Sequence, residues 1–356
     1  MRVLVCGTLY GSAYLQALQA SDCGLRLAGI LARGSARSRQ LAAQLGVPLY
    51  TRAPELPPHS VDIACVAVGG AAGSELGDAL LRRGIHVLIE HPQERDALAS
   101  ALEEAARRRL AFHVNSHFAD LEAPQAFLAA CAACRARSPL LLLSLVSNPR
   151  ALYSCVELAA RALGLERQRP FSFRPYEVQA SDSSAGGPLV SIHGEAGGVP
   201  LVVQCLRIDS PADDGATAWM SHRATATFAE GTLALAEASG PALWLPAAGP
   251  PSAFATLEGQ ARLAAPAWSV LSGSPATHAH FLWQQRDAAN RLVLHRLVQH
   301  IASGVPPPER VGRTTRCHAA NPPPSSTTAA SNANFRHSER TRRARGSARS
   351  APSRHG

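Results

Sequence analysis

The stretch that decides the fold lies near the start of the chain, where residues 2–13 read RVLVCGTLYGSA. An apolar strand runs into a turn that contains two glycines, and the turn opens a helix. Glycines in such a turn let the backbone approach a pyrophosphate, whose charge is stabilised at the N-terminal end of the helix dipole. Leu9 replaces the middle glycine of a complete G-x-G-x-x-G motif, but the position directly after the first strand favours a dinucleotide site. The predicted cofactor contacts in this turn are Gly7, Thr8, Tyr10 and Gly11.

The first 120 residues repeat this alternation of strand and helix. Strands are predicted over residues 2–6, 25–32, 61–68, 85–90 and 110–115, and helices over residues 12–20, 36–45, 73–83 and 96–109. The strands are apolar throughout, which indicates that both faces of their sheet are buried. We therefore predict an α/β, doubly wound Rossmann domain with a parallel sheet over residues 1–120.

Beyond residue 139 the pattern changes to strand-rich stretches with turn signals. A strand over 140–146 and a helix over 153–163 precede strands predicted over residues 171–180, 189–195, 201–208, 223–228 and 232–237. Gly197-Gly198 and Glu230-Gly231 lie where tight connections between antiparallel strands would fall. The sequence predicts an α+β C-terminal domain with a large open antiparallel sheet over residues 121–308, which includes a final amphipathic helix over residues 280–301.

The positive charge of the chain is concentrated at its end. The net charge is +9, and residues 311–356 alone contain nine Arg and one Glu. Ser, Thr, Pro, Ala, Asn and Arg dominate this segment, a composition typical of disorder. We predict a disordered Arg-rich tail over residues 309–356, which is either a dispensable extension or an out-of-frame reading of a gene end. The preceding body is nearly neutral, so no nucleic-acid partner is expected.

The end of the second predicted strand selects the cofactor. An NAD-dependent dehydrogenase carries an acidic residue there to bind the ribose hydroxyl, whereas residues 32–39 read ARGSARSR. The guanidinium groups of Arg33 and Arg37 and the hydroxyl of Ser35 suit a 2′-phosphate, although the arginines also suit a solvated helix start. NADPH is therefore the predicted cofactor. Gly69 and Gly70, after the third long strand, are expected either to pass near it or to form a simple turn.

The cysteine and hydropathy patterns argue against a disulfide-bonded protein, a metal-binding protein and a membrane protein. Several of the eight cysteines lie in predicted buried strands, as reduced thiols would. Cys131 and Cys134 have C-x-x-C spacing but lie in a helical stretch without a second pair of ligands, so no metal site is predicted. No apolar run approaches the roughly 20 residues of a bilayer span, and the first residues are too short for a secretory signal. We expect a cytoplasmic protein without membrane association.

Two features resemble the Gfo/Idh/MocA oxidoreductase family, namely Glu90-His91-Pro92 after a strand and the change to an antiparallel domain beyond residue 120. Members of that family carry Glu-Lys-Pro at this strand end and use an open sheet for substrate and dimer contacts. In this chain His91 replaces the lysine. Sugar dehydrogenases of the family also carry His-x-x-Asp on a later helix, where this chain has Ser154 and Glu157, which argues against polyol oxidation.

A closer resemblance is to the thiazolinyl imine reductases of siderophore assembly lines, of the pyochelin and yersiniabactin type. It is carried by the segments VLVCGTLYGSAYLQAL, IEHPQ and HVNSHFADLEAPQAF and extends over roughly residues 1–305. The resemblance implies NADPH-dependent reduction of the C=N bond of a thiazoline ring to a thiazolidine. It further implies that the substrate is thioesterified to a carrier domain of a non-ribosomal peptide synthetase, and that the enzyme is a homodimer.

Hydride addition to a C=N carbon requires a proton at the nitrogen, from an acid whose pKa lies near neutrality. Histidine suits this role best. His91 is the first candidate because it follows a strand at the edge where doubly wound folds bind ligands, and His117 is the second. The remaining predicted contacts are Pro92 against the nicotinamide, Glu90 with His91 or the cofactor, and Asn115 with the substrate ring or the nicotinamide amide.

Two alternatives to thiazoline reduction stay open. The chain could be another NADP-dependent imine or carbonyl reductase, which a panel of substrates would reveal. It could also bind NADPH without turnover, as a scaffold or regulator, since it lacks the lysine and histidine of the related dehydrogenases.

Overall fold

The computed structural model describes residues 1–19, 24–148, 151–165, 173–183, 187–206, 222–247, 269–272 and 278–305. The predicted tail over residues 309–356 lies outside the described residues. Among the described residues, no helix has the length and apolar character needed to cross a bilayer. Within the same part of the chain, no group of three or more His, Cys, Asp or Glu side chains could hold a metal ion.

The N-terminal sheet is built from six parallel strands, joined mainly by helices. The strands are β1 (Arg2–Cys6), β2 (Arg26–Leu31), β3 (Leu49–Tyr50), β4 (Ile63–Val66), β5 (His86–Glu90) and β6 (Phe112–Asn115), and the helices are α1 (Gly11–Gln19), α2 (Ala36–Leu45), α3 (Gly70–Arg82) and α4 (Arg95–Arg108). The strand order is β3-β2-β1-β4-β5-β6, so the winding direction reverses between β1 and β4. Such a reversal leaves a crevice at the carboxyl ends of the strands. The predicted Rossmann fold is confirmed.

One strand of this domain was not predicted, and several of the predicted elements begin or end at other residues than expected. The two-residue strand β3, which pairs with β2, is too short to show any hydrophobic periodicity and was not predicted. Strand β4 ends at Val66 and helix α3 begins at Gly70, so the helix starts three residues earlier than the sequence pattern indicated.

The second sheet has eight strands and a helical layer on one face. The strands are β7 (Leu140–Ser147), β8 (Phe173–Ser183), β9 (Gly187–Ala196), β10 (Val199–Leu206), β11 (Arg223–Phe228), β12 (Gly231–Leu235), β13 (Ala242–Pro246) and β14 (Ser269–Ser272), and the helices are α5 (Glu122–Arg135) and α6 (Leu152–Ala162). The order is β14-β13-β12-β11-β7-β10-β9-β8. Strands β7 and β10 are parallel and the other pairs are antiparallel, so the sheet is mixed.

The last described helix, α7 (His278–Ser303), returns to the first domain. Val293, Leu294 and Leu297 are fully buried and pack in the same cluster as Val3 and Tyr14 of the Rossmann domain. At its C-terminal end, the ring of His300 lies 2.8 Å from His113 of β6, measured between Nδ1 and Nε2. A segment that follows the second sheet in sequence therefore forms part of the wall beside the crevice.

Candidate active site

The turn between β1 and α1 packs closely against Ala67, the residue that follows β4. Gly7 has φ +90°, and a Cβ atom added to it would lie 2.7 Å from the carbonyl oxygen of Ala67. Gly11 is the first residue of α1, and its φ is not in the left-handed region. A Cβ atom added to it would lie 3.0 Å from Val5 Cγ1. Glycine is required at residue 7 by both conformation and space. The N-terminal end of α1, which carries the positive end of the helix dipole, follows this turn at the carboxyl edge of the sheet, where an anionic pyrophosphate would be stabilised.

The basic residues after β2 lie beside this turn. Arg37 donates from Nη2 to the carbonyl oxygen of Thr8 at 3.2 Å. This bond links the start of α2 to the turn of residues 7–11 between β1 and α1, which we call the glycine turn. Ser35 is the N-cap of α2, and its hydroxyl accepts a hydrogen bond from the backbone N–H of Ser38. Arg33 is exposed and has no ion pair or hydrogen bond within the described residues. The donors at this strand end therefore suit an anionic group on the adenosine ribose.

Gly69 and Gly70 form the start of α3 at the same edge of the sheet. Gly69 is the N-cap residue, and Gly70 has φ +65°. Among the described residues, and apart from the adjoining residues and the backbone of the helix itself, no heavy atom lies within 4 Å of the Cβ position of either glycine. Both glycines therefore border open space at the same edge of the sheet as the turn between β1 and α1.

Glu90, at the end of β5, lies in a buried network of polar side chains. Its Oε1 accepts hydrogen bonds from the Tyr14 hydroxyl and from Asn115 Nδ2, the latter at 2.8 Å. Asn115 Nδ2 also lies 2.9 Å from Oδ1 of Asn290 on α7. Burial raises the pKa of Glu90 to about 7, against the opposing effect of the hydrogen bonds from Tyr14 and Asn115 and the charge of Arg286.

Asn115, which is expected to contact the substrate ring or the nicotinamide amide, belongs to this network at the end of β6. Its side chain is fully buried, and its amide is bonded to Glu90, Tyr14 and Asn290. Asn115 thus donates a hydrogen bond to the carboxyl group of Glu90 from the end of β6. Tyr14 and Asn290 were not predicted, because neither the interior of α1 nor that of α7 carries a motif.

His91 directly follows Glu90, and its ring is held by a hydrogen bond to the backbone of Asn115 in the neighbouring strand β6. Its Nδ1 lies 2.7 Å from the carbonyl oxygen of Asn115 and 3.9 Å from Oε2 of Glu90. A carbonyl oxygen can only accept, so Nδ1 carries the hydrogen of this bond. Nε2 is therefore the atom at which His91 gains and loses a proton. The peptide bond to Pro92 is cis, and Pro92 itself is exposed beside the crevice.

His117 lies in the 3₁₀ turn His117–Asp120 that follows β6, and is paired with the glycine turn. Its Nδ1 is 3.1 Å from the hydroxyl of Tyr10. Burial raises the pKa of Tyr10 well above its usual range, so the phenol keeps its proton and can donate it to Nδ1. Burial and the nearby His91, Arg286 and His222 lower the pKa of His117 well below 6.5. His117 is therefore neutral at pH 7.

A third histidine, which the sequence did not indicate, lies in the same cluster. The ring of Phe118 stacks on His117 at a centroid distance of 4.4 Å and on His222 at 4.3 Å. His222 is bonded through Nε2 to the hydroxyl of Ser154 at 2.6 Å, and burial lowers the pKa of His222 to about 3. No sequence signal marks this residue, because it precedes β11, more than 100 residues after His117.

Helix α6 carries no histidine–carboxylate pair at the expected place. Ser154 stands where a histidine would be, and it is bonded to His222 as described above. Glu157 accepts a hydrogen bond from Arg161 Nη2 at 2.6 Å. Arg161 and Arg296 also pair with the buried carboxylate of Asp120, at 3.3 Å and 2.7 Å. The carboxylate of Glu157 thus belongs to an ion-pair network between α6, α7 and the 3₁₀ turn.

Arg286 of α7 places a cation above the glycine turn. Its guanidinium carbon lies 5.2 Å from the centroid of the Tyr10 ring. Burial lowers the pKa of Arg286, while the nearby Tyr10, Asp287 and Glu90 raise it. The residue was not predicted, because the sequence pattern assigned this helix to the other domain.

A glycine turn at the switch point of a doubly wound sheet is the arrangement typical of a dinucleotide-binding site. Residues 1–116 match the Gfo/Idh/MocA family, described as an oxidoreductase family with an NAD-binding Rossmann fold. This match covers the N-terminal sheet and its helices and does not extend into the second sheet. No curated protein sequence matches the chain.

Solved structures of similar fold extend over both domains. UDP-N-acetylglucosamine 3-dehydrogenase GnnA from Acidithiobacillus ferrooxidans is 14% identical, with a TM-score of 0.62 over 90% of this chain and 95% of that chain. An oxidoreductase from Agrobacterium radiobacter in complex with NAD⁺, L-tartaric acid and magnesium is 11% identical, with a TM-score of 0.64 over 90% and 94% of the two chains. GenD2 from gentamicin A biosynthesis, in complex with NAD, is 17% identical, with a TM-score of 0.63 over 90% and 93%. These similarities establish the fold.

Proposed function

We propose that this protein reduces the C=N bond of a thiazoline ring to a thiazolidine, with NADPH as the reductant. The observation that carries the proposal is His91, which stands in place of the lysine of related enzymes and is fixed through Nδ1 to the carbonyl oxygen of Asn115. The resemblance of the segments around residues 1–16, 89–93 and 113–127 to thiazolinyl imine reductases supplies the substrate class. Imine reduction needs one acid at the nitrogen, and His91 is placed to be that acid.

NADPH, when bound, supplies the hydride that adds to the carbon of the C=N bond. The residues that would hold it are those of the glycine turn, Arg33, Ser35 and Arg37, with Gly69 and Gly70 beside them. Arg37 is already tied to the backbone of the turn through Thr8. The preference for NADPH over NADH rests on the two arginines, since no acidic residue lies between residues 32 and 39 to bind a ribose hydroxyl.

Protonation of the ring nitrogen is assigned to His91. The imidazolium donates from Nε2, while the bond from Nδ1 to Asn115 holds the ring in orientation. Glu90, with its pKa raised to about 7, lies 3.9 Å from Nδ1 and stabilises the imidazolium when it is ionised. His117 is neutral, so it can orient a ligand as a hydrogen-bond donor but is a poor acid.

The substrate is proposed to arrive on a carrier domain of a non-ribosomal peptide synthetase, and the enzyme is proposed to be a homodimer. Both parts of the proposal are supported by the resemblance to thiazolinyl imine reductases.

Sugar oxidation is the activity named for GnnA among the structures of similar fold. The geometry of α6 argues against it for this chain. Alcohol oxidation needs a base for the hydroxyl proton. In this chain Ser154 is bonded to a histidine whose pKa is lowered to about 3, and Glu157 is paired with Arg161.

Absorbance of NADPH with a panel of substrates tests the proposal. We expect NADPH oxidation with a hydroxyphenyl-bisthiazoline thioester, slower turnover with NADH, and no NAD(P)⁺ reduction by UDP-sugars or inositols. In the same assay, Arg33→Ala should lower the ratio of kcat/KM with NADPH to kcat/KM with NADH. Arg26→Ala, at the opposite end of β2, should leave this ratio unchanged. Turnover of a sugar with no consumption of NADPH by the thioester would contradict the proposal. Tight binding of NADPH without turnover of any substrate would favour a scaffold instead.

A further inference from the structure

The ring of Tyr153 lies against the ring of His91 in a stacked arrangement. The ring centroids are 5.5 Å apart, and the ring planes are inclined by 22°. Tyr153 belongs to α6 of the second domain, whereas His91 follows β5 of the first. Tyr153 is half-buried and packs against the core of the Rossmann domain, so the stack forms where the two domains meet.

An aromatic face stabilises a cation more strongly than a neutral group. The face carries the negative part of the ring quadrupole, and a cation within about 6 Å of the centroid is attracted to it. Protonation of His91 spreads a positive charge over an imidazole ring that lies within this distance of Tyr153. The contact therefore favours the protonated form of His91 over the neutral form.

We propose that Tyr153 is a positioning residue that stabilises the protonated form of His91 and so keeps it an acid at neutral pH. The catalytic consequence rests on the function proposed above. The direct claim concerns only the affinity of His91 for a proton, which can be measured without substrate.

Other titratable or charged groups around His91 act in both directions. Glu90 of β5 lies 3.9 Å from Nδ1 of His91, and His117 of the 3₁₀ turn and His222 before β11 interact electrostatically with His91. Tyr10, before α1, is bonded to His117. His117 and His222 are neutral at pH 7, and Arg286 lies near Glu90 and His117. Glu90 favours the imidazolium only while it is ionised, and that help fades below about pH 7. The aromatic face of Tyr153 acts at every pH at which the enzyme is folded.

A histidine NMR titration of the full-length protein tests this assignment. The protein is labelled with ¹⁵N at histidine, and the resonances of His91 are assigned from their loss in His91→Gln. Tyr153→Phe keeps the aromatic face and removes the hydroxyl, whereas Tyr153→Leu and Tyr153→Met keep apolar contact without the face. We expect the pKa of His91 to fall by at least about half a unit, or about threefold in proton affinity, in the Leu and Met variants, and to stay near the wild-type value in Tyr153→Phe.

An unchanged pKa of His91 in the Leu and Met variants would overturn the proposal. An equal fall in Tyr153→Phe would also overturn it, because the hydroxyl and not the face would then be responsible. The titration uses neither cofactor nor substrate, so its outcome is separate from the failure or success of thiazoline reduction. In an enzyme that turns over, the alkaline limb of the pH profile of kcat should move to lower pH in Tyr153→Leu and not in Tyr153→Phe.

Discussion

At the scale of single residues, titratable groups that lie close together in the site have different pKa values and so different protonation states at neutral pH. Burial lowers the pKa of His222 to about 3 and that of His117 well below 6.5, and burial raises the pKa of Glu90 to about 7. At neutral pH two of the three clustered histidines are therefore uncharged. His91 lies next to a carboxyl group that can support a positive charge on its ring, and this contrast supports the proposal that His91 is the acid.

The raised pKa of Glu90 predicts a specific pH dependence of stability. A carboxyl group whose folded pKa lies above its unfolded value contributes stability below pH 4.5, and this contribution is lost as the pH rises through about 7. Glu90→Gln is permanently neutral and cannot lose it. From pH 5 to pH 8.5, the free energy of unfolding of the wild type should therefore fall relative to that of Glu90→Gln, by on the order of 3 kcal/mol.

Urea unfolding of both proteins across this pH range measures the difference. His117 and His222 act in the opposite sense, because a histidine with a lowered pKa loses its stabilising contribution as the pH falls from about 6.5. They are present in both proteins, so their contribution cancels in the comparison. Parallel pH curves for the two proteins would show that Glu90 is ionised in the folded state well below pH 7.

At the scale of elements, helix α7 is part of the cofactor domain although it follows the second sheet in sequence. Leu294 and Leu297 have no exposed surface and pack beside α1 and β1. Asn290 and Arg286 of the same helix reach the network of Glu90 and the ring of Tyr10. The stability of the first domain and the geometry of its polar site therefore depend on one helix from the far end of the described chain.

Leu294→Ala should lower the free energy of unfolding by about 2–5 kcal/mol, because the substitution leaves a cavity in a packed core. His295→Ala, on the exposed face of the same helix, is the matched control and should change it by less than about 0.5 kcal/mol. Equilibrium unfolding in urea measures both. Similar small effects of the two substitutions would mean that α7 is only loosely attached to the Rossmann domain.

The helix itself could be predicted from its apolar spacing, but its place could not. Amphipathic periodicity shows that one face is buried and does not say against which partner. Strands β13 and β14, at one edge of the second sheet, were not predicted, whereas β1, β4 and β5, whose central residues are all apolar, were.

At the scale of the whole molecule, the sequence predicted the parts of the site that lie on one short stretch of chain. The glycine turn, the basic end of β2 and Glu90-His91-Pro92 each have a local signal, and the structure places all of them at the carboxyl edge of the first sheet. His222, Tyr153 and Asn290 reach the same region from distant segments. Their proximity follows from the packing of the two domains and of α7, which no local pattern encodes.

The most direct test of the account is the rate of NADPH oxidation with a hydroxyphenyl-bisthiazoline thioester, measured for the wild type and His91→Ala. The account predicts turnover by the wild type and a fall in kcat/KM of at least about tenfold in the variant, which corresponds to roughly 1.4 kcal/mol of barrier. NADPH affinity should be similar in both proteins. A variant that reduces the thioester as fast as the wild type would contradict the assignment of His91 as the acid, and a wild type that never oxidises NADPH with it would contradict imine reduction.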